Sequence, residues 1–327
     1  MIWSRFFTYM TLGVCAFMLT AALVLGTVRH ALTLPSPSAQ IQYLYIEPGD
    51  SLRQIAQTAK EIGLVERSWH FWMAARYLRQ ETRLQAGEFE ITPATTISAI
   101  INKVVAGGVY YRRIVVPEGL SIQQIEGVLI NSPGLNWEGY SAPVEGSLLP
   151  ETYYYTRGES VKTVVARMRA KMDDTLDALW AVQASGLPVT SKEQVLVLAS
   201  IVEKETGTPE ERGLVAAVFL NRLKQRMRLQ SDPTVVYGLT YGLPLGRRLT
   251  SADLKMHTPY NTYRIAGLPP LPIANPGRAS IEAVLLPADV PYLYFVADGT
   301  GGHAFATTLK DHNRNVAHWR RVRDEHF

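Results

Sequence analysis

Leu198-Ala-Ser-Ile-Val-Glu203-Lys-Glu205-Thr-Gly207 places two carboxylates at the end of an otherwise apolar segment. Val195, Leu198, Ala199 and Val202 predict a helix with one packed face, since at about 100° per residue they fall on the same side. On that wheel Glu205 lies nearer their mean direction than Glu203 does. Glu205 is therefore expected to point at packed apolar surface, while Glu203 and Lys204 lean toward water. A carboxyl held against apolar groups has its charged form disfavoured, so it can keep a proton near neutral pH, the state a general acid needs. Gly207 is expected to end this helix and Thr208 to cap the next, with Pro209 in its first turn ahead of Glu210 and Glu211. Alone, the segment reads more readily as a solvated Glu/Lys helix end, so the rest of the chain has to decide.

The chain has 327 residues, 47% of them hydrophobic, enough for a core divided between two or three small units. Phe6 to Val28 carries no charge and is flanked by Arg5 and by Arg29 and His30. That length spans a bilayer and exceeds the roughly 7–15 apolar residues of a secretory signal. An uncleaved single-pass membrane anchor is expected over residues 6–28, within a terminal segment 1–30. Cys15, inside that span, is the one cysteine, so the remainder has no disulfide and no thiol ligand for a metal. The net charge is +4, and Arg222, Lys224, Arg226 and Arg228 cluster at one helix end with Arg247 and Arg248 beyond. Such a patch suits an acidic polymer or simply water; for a domain tethered outside the cytoplasm no nucleic-acid partner is expected.

Residues 31–41, with Leu34-Pro-Ser-Pro-Ser-Ala-Gln40, read as a linker. A strand is predicted at 43–46, helices at 51–62 and 68–78, a strand at 87–91 and a helix at 96–105. Ile46-Glu-Pro-Gly-Asp-Ser-Leu-Arg-Gln-Ile55 is echoed by Val116-Pro-Glu-Gly-Leu-Ser-Ile-Gln-Gln-Ile125, each a strand, a turn and a helix that its Ser can cap. The first copy and its surroundings, residues 42–108, resemble a LysM-type module, whose family binds N-acetylglucosamine-containing glycans; here the module serves as a glycan binder or as a spacer. Residues 109–138 are expected to form a connecting strand–helix unit. From 139 to 327, helices are predicted near 159–183, 191–206, 209–228 and 278–286, strands near 292–297 and 303–307, and a last helix from about 309. The fold class is mixed α+β, with an N-terminal transmembrane helix ahead of the small αβ module and a working domain.

H-E-x-x-H, G-x-S-x-G, paired Cys or His at ligand spacing and a phosphate-binding glycine loop are all missing from the sequence, so neither metal nor nucleophilic-serine catalysis has support. No cofactor is expected. Gly299-Thr-Gly-Gly302 reads as a hairpin turn and His303 as a structural strand residue. What remains is carboxylate chemistry beside polar and aromatic loops. In Glu145-Gly-Ser-Leu-Leu-Pro-Glu151-Thr-Tyr153-Tyr-Tyr155, acids adjoin aromatics of the kind on which sugar rings stack, although such a segment can also simply pack. Asn221, Leu229-Gln230-Ser-Asp232-Pro-Thr234 and Tyr237 add polar groups in predicted loops after a helix. The proline-rich stretch from Tyr260 to Gly277 is a stiff wall.

These motifs, in this order, resemble the endolytic murein transglycosylase, or YceG-like, family. The resemblance runs from the anchor to near the C-terminus and rests on EGSLLPETY at 145–153, ASIVEKET at 199–206, VFLNRL at 218–223, LQSDPTVVYG at 229–238, PYNTYRIAGLPPLPIANPG at 259–277 and LYFVADGTGGHAF at 293–305. It implies cleavage of the β-1,4 bond between N-acetylmuramic acid and N-acetylglucosamine within a peptidoglycan strand, leaving a 1,6-anhydromuramic end. The family's catalytic glutamate falls at Glu205, with Glu203 as the fallback. Glu145 or Glu151, or the substrate's own N-acetyl group, would help the anomeric carbon bear its charge, beside Tyr153. Asn221, Gln230, Asp232, Asn261 and Tyr263 would grip sugar and peptide. The resemblance further implies an inner-membrane enzyme facing the periplasm that trims or terminates nascent strands, with peptidoglycan synthases or division proteins as partners. A non-catalytic glycan-binding scaffold and a hydrolytic muramidase stay open as alternatives.

Overall fold

The computed structural model describes residues 2–326; Met1 and Phe327, the ends of the first and last expected segments, lie outside the described residues. The chain divides into two compact units, residues 1–112 and 113–327.

The first unit opens with helix α1 (Ile2–Thr33), long and apolar enough to cross a membrane between Tyr9 and Thr33. Its last turns are packed: Val28 and Ala31 are buried and Leu32 and Leu34 lie against the unit's core. Apolar contact thus carries the helix three residues into the stretch predicted to be a linker. Strand β1 (Gln42–Ile46), helices α2 (Leu52–Glu61) and α3 (Ser68–Tyr77), strand β2 (Gly87–Ile91) and helix α4 (Ile97–Val105) follow. β1 and β2 pair antiparallel, Gln42 opposite Ile91 and Ile46 opposite Gly87. Alternate residues Leu44, Ile46, Phe89 and Ile91 meet Ile55, Phe71 and Ile101 in the core. Ser51 caps α2 through a reciprocal box, Gln54 N donating to Ser51 Oγ at 3.4 Å and Ser51 N to Gln54 Oε1 at 2.9 Å.

Strand β3 (Arg112–Val115) begins at the division and pairs with β4 (Thr152–Tyr155). Between them, α5 (Ile122–Ile130) starts with the same box, formed by Ser121 and Gln124, so the two echoing sequences do build the same strand–turn–capped-helix start. Ile114, Val116, Ile125 and Leu129 pack with Leu148, Tyr155, Val161 and Val164. From residue 113 on, the segment predicted to be a connector is therefore part of a core shared with residues 148–168.

Helices α6 (Val161–Trp180), α7 (Lys192–Glu205), α8 (Arg212–Lys224), α9 (Asp232–Thr240) and α10 (Arg278–Leu285), the hairpin β5 (Tyr294–Ala297) and β6 (His303–Ala306), and α11 (Leu309–His326) complete the second unit. α7, α8 and α10 pack around Leu198, Ile201, Val202, Val215, Phe219, Ile281 and Val284. Each such side chain contributes roughly 1.5–3 kcal/mol by leaving water. Ala297 lies opposite His303 across the hairpin, and Asp298 N donates to Gly302 O at 3.0 Å, which closes the glycine-rich turn. A short 3-10 turn, Pro209–Glu211, leads into α8; Thr208 stands at its start but makes no side-chain capping bond there. α9 occupies residues the sequence reads as loop. Pro233 suits a helix's first turn, and burial of Thr234, Val235 and Tyr237 holds the helix in place.

Candidate active site

α7 is fixed at its start by Ser191, whose Oγ accepts from Gln194 N at 3.3 Å, and Val195 through Val202 are buried but for Leu196. The two acids at its far end then part company. The helical phase points Glu203 toward water; the structure instead leaves its side chain only 7% exposed. Its Oε2 accepts from Gly277 N at 3.0 Å and Ser280 Oγ at 2.7 Å, satisfying donors at the start of α10, where a negative charge is favoured. A Cβ at residue 277 would fall 1.8 Å from Glu118 Oε1, so any other residue there requires the half-exposed Glu118 side chain to swing aside. The helical wheel misplaces Glu203 because it contains nothing of α10, which covers the side read as solvent.

Glu205 Oε1 accepts from Ser231 Oγ at 2.6 Å. The carboxyl lines a hollow of about 410 Å³ together with Phe219, Arg222, Gln230, Asp232, Tyr263, Phe295 and His312. Burial pushes it up from the ordinary carboxyl value to about 7; the Asp232 charge adds to the rise, while the Ser231 hydrogen bond and the charges of His303 and Arg222 hold it back. Near neutral pH, Glu205 is therefore poised between its two protonation states, able to give a proton and to take one.

The segment that carries Ser231 is held from several sides. Gln230 sits in the left-handed region at φ 52°, a strained conformation for a residue with a side chain. Its N–H donates to Thr262 O at 3.2 Å, Ser231 N donates to Thr262 Oγ1 at 2.9 Å, and Thr234 Oγ1 donates to Ser231 O at 2.6 Å. Arg222 reaches the same segment from α8, with Nη1 donating to Leu229 O at 2.8 Å and Nε to Leu293 O at 2.7 Å. On the rim, Tyr263 Oη donates to Asp232 Oδ1 at 2.7 Å.

Glu205, Gln230, Asp232 and Tyr263 are thus brought to one hollow. The other candidates are not. Glu145 lies with the start of α5, its Oε1 accepting from Ile122 N at 3.1 Å and Asn275 Nδ2 at 2.9 Å and its Oε2 from Tyr237 Oη at 3.3 Å; burial pushes it to about 7 as well. Glu151 is exposed and pairs with Lys171. Tyr153 is buried, with its hydroxyl donating to Leu149 O at 2.7 Å. Asn221 donates to Val290 O and Tyr292 O at 2.8 and 3.0 Å, because the phase of α8 turns it toward the strand entry. Asn261 is fully buried and holds its own loop through Leu254 O and Met256 O. Glu145, Tyr153, Asn221 and Asn261 hold the surrounding structure, Glu151 lies on the surface, and these five do not line the hollow.

Sequence alone does not single out Ser231, Arg222, Phe295 and His312 for this site. Ser231 stands between two candidate residues, and Arg222 reads as part of a solvated basic patch although the structure buries it to 8% exposure. A signal exists in its position four residues after Val218 and three after Phe219, on the packed face of α8. His303 donates from its N–H to Glu211 Oε1 at 2.8 Å and contacts Glu211 Oε2 through Nδ1 at 2.7 Å. This pins the β5–β6 hairpin, and with it Phe295, beside the end of α7.

The profile of the YceG-like family matches residues 44–318. A Bacillus subtilis protein named endolytic murein transglycosylase is 29% identical over 300 residues, 82% of each chain. A Streptococcus pneumoniae protein of the same name is 28% identical over 321 residues, covering 83% of this chain and 57% of that one. The crystal structure of a YceG-like protein from Listeria monocytogenes, 30% identical, aligns with a TM-score of 0.54 over 85% of this chain and 99% of the other.

Proposed function

The chain belongs to the YceG-like family, and from that membership and the Glu205 hollow we propose that it is an endolytic murein transglycosylase, a lyase acting on peptidoglycan. The observation that carries this reading is a single buried carboxyl, oriented by Ser231 and pushed up to about 7, in a hollow of about 410 Å³. Protonated Glu205 gives its proton to the glycosidic oxygen as the bond from that oxygen to C1 of the muramic residue breaks. The carboxylate so formed takes the proton of the C6 hydroxyl while O6 bonds to C1, which returns Glu205 to its starting state and consumes no water. A retaining hydrolase would need a second carboxylate about 5–5.5 Å away as nucleophile; here the substrate's own hydroxyl takes that part. Asp232, on the same hollow, and the substrate's own N-acetyl group would steady the positive charge at C1.

α1 supports a single-pass anchor, which would confine the second unit to the extracytoplasmic side where nascent strands emerge and where synthases or division proteins could be met. The β1–α2–α3–β2 order in the first unit supports the LysM-like reading and a hold on glycan there. The role of general acid requires the protonated form, so kcat/KM is expected to fall as pH rises through about 7, measured on purified glycan strands.

The decisive experiment is digestion of purified sacculi followed by mass analysis of the ends. Anhydromuramic ends, lighter by one water than those of a hydrolase, are the expected product. Hydrated ends would make the protein a muramidase, and no cleavage at all would leave it a glycan-binding scaffold.

A further inference from the structure

A second hollow, of about 370 Å³, shares Asp232 with the first and is lined by Lys204, Val236, Tyr237, Leu243, Pro244 and Ile273. Its wall is built tightly. Gly242 lies at φ 95°, where a Cβ would fall 2.3 Å from Ser121 Cβ, and Ser121 Oγ donates to Gly242 O at 3.1 Å. The cation in this lining is Lys204. Its ammonium donates to Gly119 O at 3.2 Å, and among the described residues no carboxylate stands in ion-pair contact with it. Asp232, the acid on the shared rim, is engaged from the other side by Tyr263.

A hollow with mainly apolar walls, Lys204 on one side and Asp232 on the shared rim, matches neutral sugar poorly, since a pyranose ring presents hydroxyls that want many polar partners. It matches a short acidic peptide well, with small side chains against Val236, Leu243 and Pro244 and a carboxylate at the ammonium. Lys204 and Glu205 are consecutive in α7, so one residue's turn of the helix aims them in different directions, about 1.5 Å apart along its axis. In peptidoglycan the peptide branches from the same muramic ring whose C1 would be attacked. Building on the proposed function, we propose that the Lys204 hollow takes the acidic peptide carried by that muramic residue, so that peptide-bearing strands are cut in preference to bare glycan.

The test compares rates on glycan strands with their peptides and on strands stripped of them by an amidase, for the full chain in detergent. The wild type is expected to favour peptide-bearing strands by about tenfold, the worth of one charge-assisted contact. Lys204→Met should bring that ratio down to about twofold or less, mostly through KM, and Lys204→Arg should restore most of it. Melting curves check that both variants fold. A wild type that cuts both substrates equally, or a Lys204→Met enzyme that keeps the wild-type ratio, would overturn the assignment while leaving the transglycosylase reading intact. Failure of the wild type to form anhydro ends on either substrate would overturn both.

Discussion

Glu205→Gln is expected to fold and to lower the release of anhydromuropeptides by at least about a hundredfold, the lower end of what a positioned acid–base contributes. The amide oxygen can still accept from Ser231, so the hollow keeps its shape, but neither proton transfer remains. Stability should move the other way. Glu205 rises from 4.5 unfolded to about 7 folded, so the folded protein holds more protons than the unfolded chain between those values. Its favourable contribution is complete below about 4.5 and is lost as pH climbs toward 7, leaving a buried charge above that. At pH 8, Glu205→Gln should therefore be more stable than the wild type, by up to the order of 3 kcal/mol. Paired measurements of product release and of urea unfolding at pH 5 and pH 8 check both halves. Wild-type turnover by Glu205→Gln would remove it from the chemistry. Glu203→Gln, which preserves an acceptor for Gly277 and Ser280, serves as the comparison and is expected to retain turnover.

Arg222→Met should destabilise the second unit by about 2–4 kcal/mol, because it leaves the carbonyls of Leu229 and Leu293 inside the protein without their donor. Methionine fills much of the same volume, so the loss is one of hydrogen bonding more than of packing. Activity should fall as well, since Arg222 braces the segment that aims Ser231 at Glu205. Lysine in its place should rescue little, because a single ammonium cannot span carbonyls that a planar guanidinium reaches together. Urea unfolding of the three proteins, read alongside their rates, tests this. An Arg222→Met protein as stable as the wild type would mean that the carbonyls find other partners.

Elements with strong periodicity are legible in the sequence. α7 and the capped starts of α2 and α5 can be read from apolar spacing and from Ser followed by Gln at the third position, which are local signals. α9 escapes because its start, Ser231-Asp232-Pro233, is as good a turn as a helix opening, and burial against residues far along the chain decides the matter. The burial of Glu205 can be read from helical phase because α8, which supplies Phe219 and Arg222 beside it, lies on the face the phase identifies. Glu203, Asn221 and Asn261 cannot be placed that way, since each is claimed by backbone donors or acceptors from another segment. A polar residue in a shared motif can serve substrate or serve the wall behind it, and composition does not separate those roles.

The packed end of α1 has a mechanical consequence. With Val28, Ala31 and Leu32 bound into the first unit, no swivel is left between α1 and the small fold it carries. Helix and fold therefore turn as one rigid piece, so the direction in which the small fold faces follows the tilt of α1.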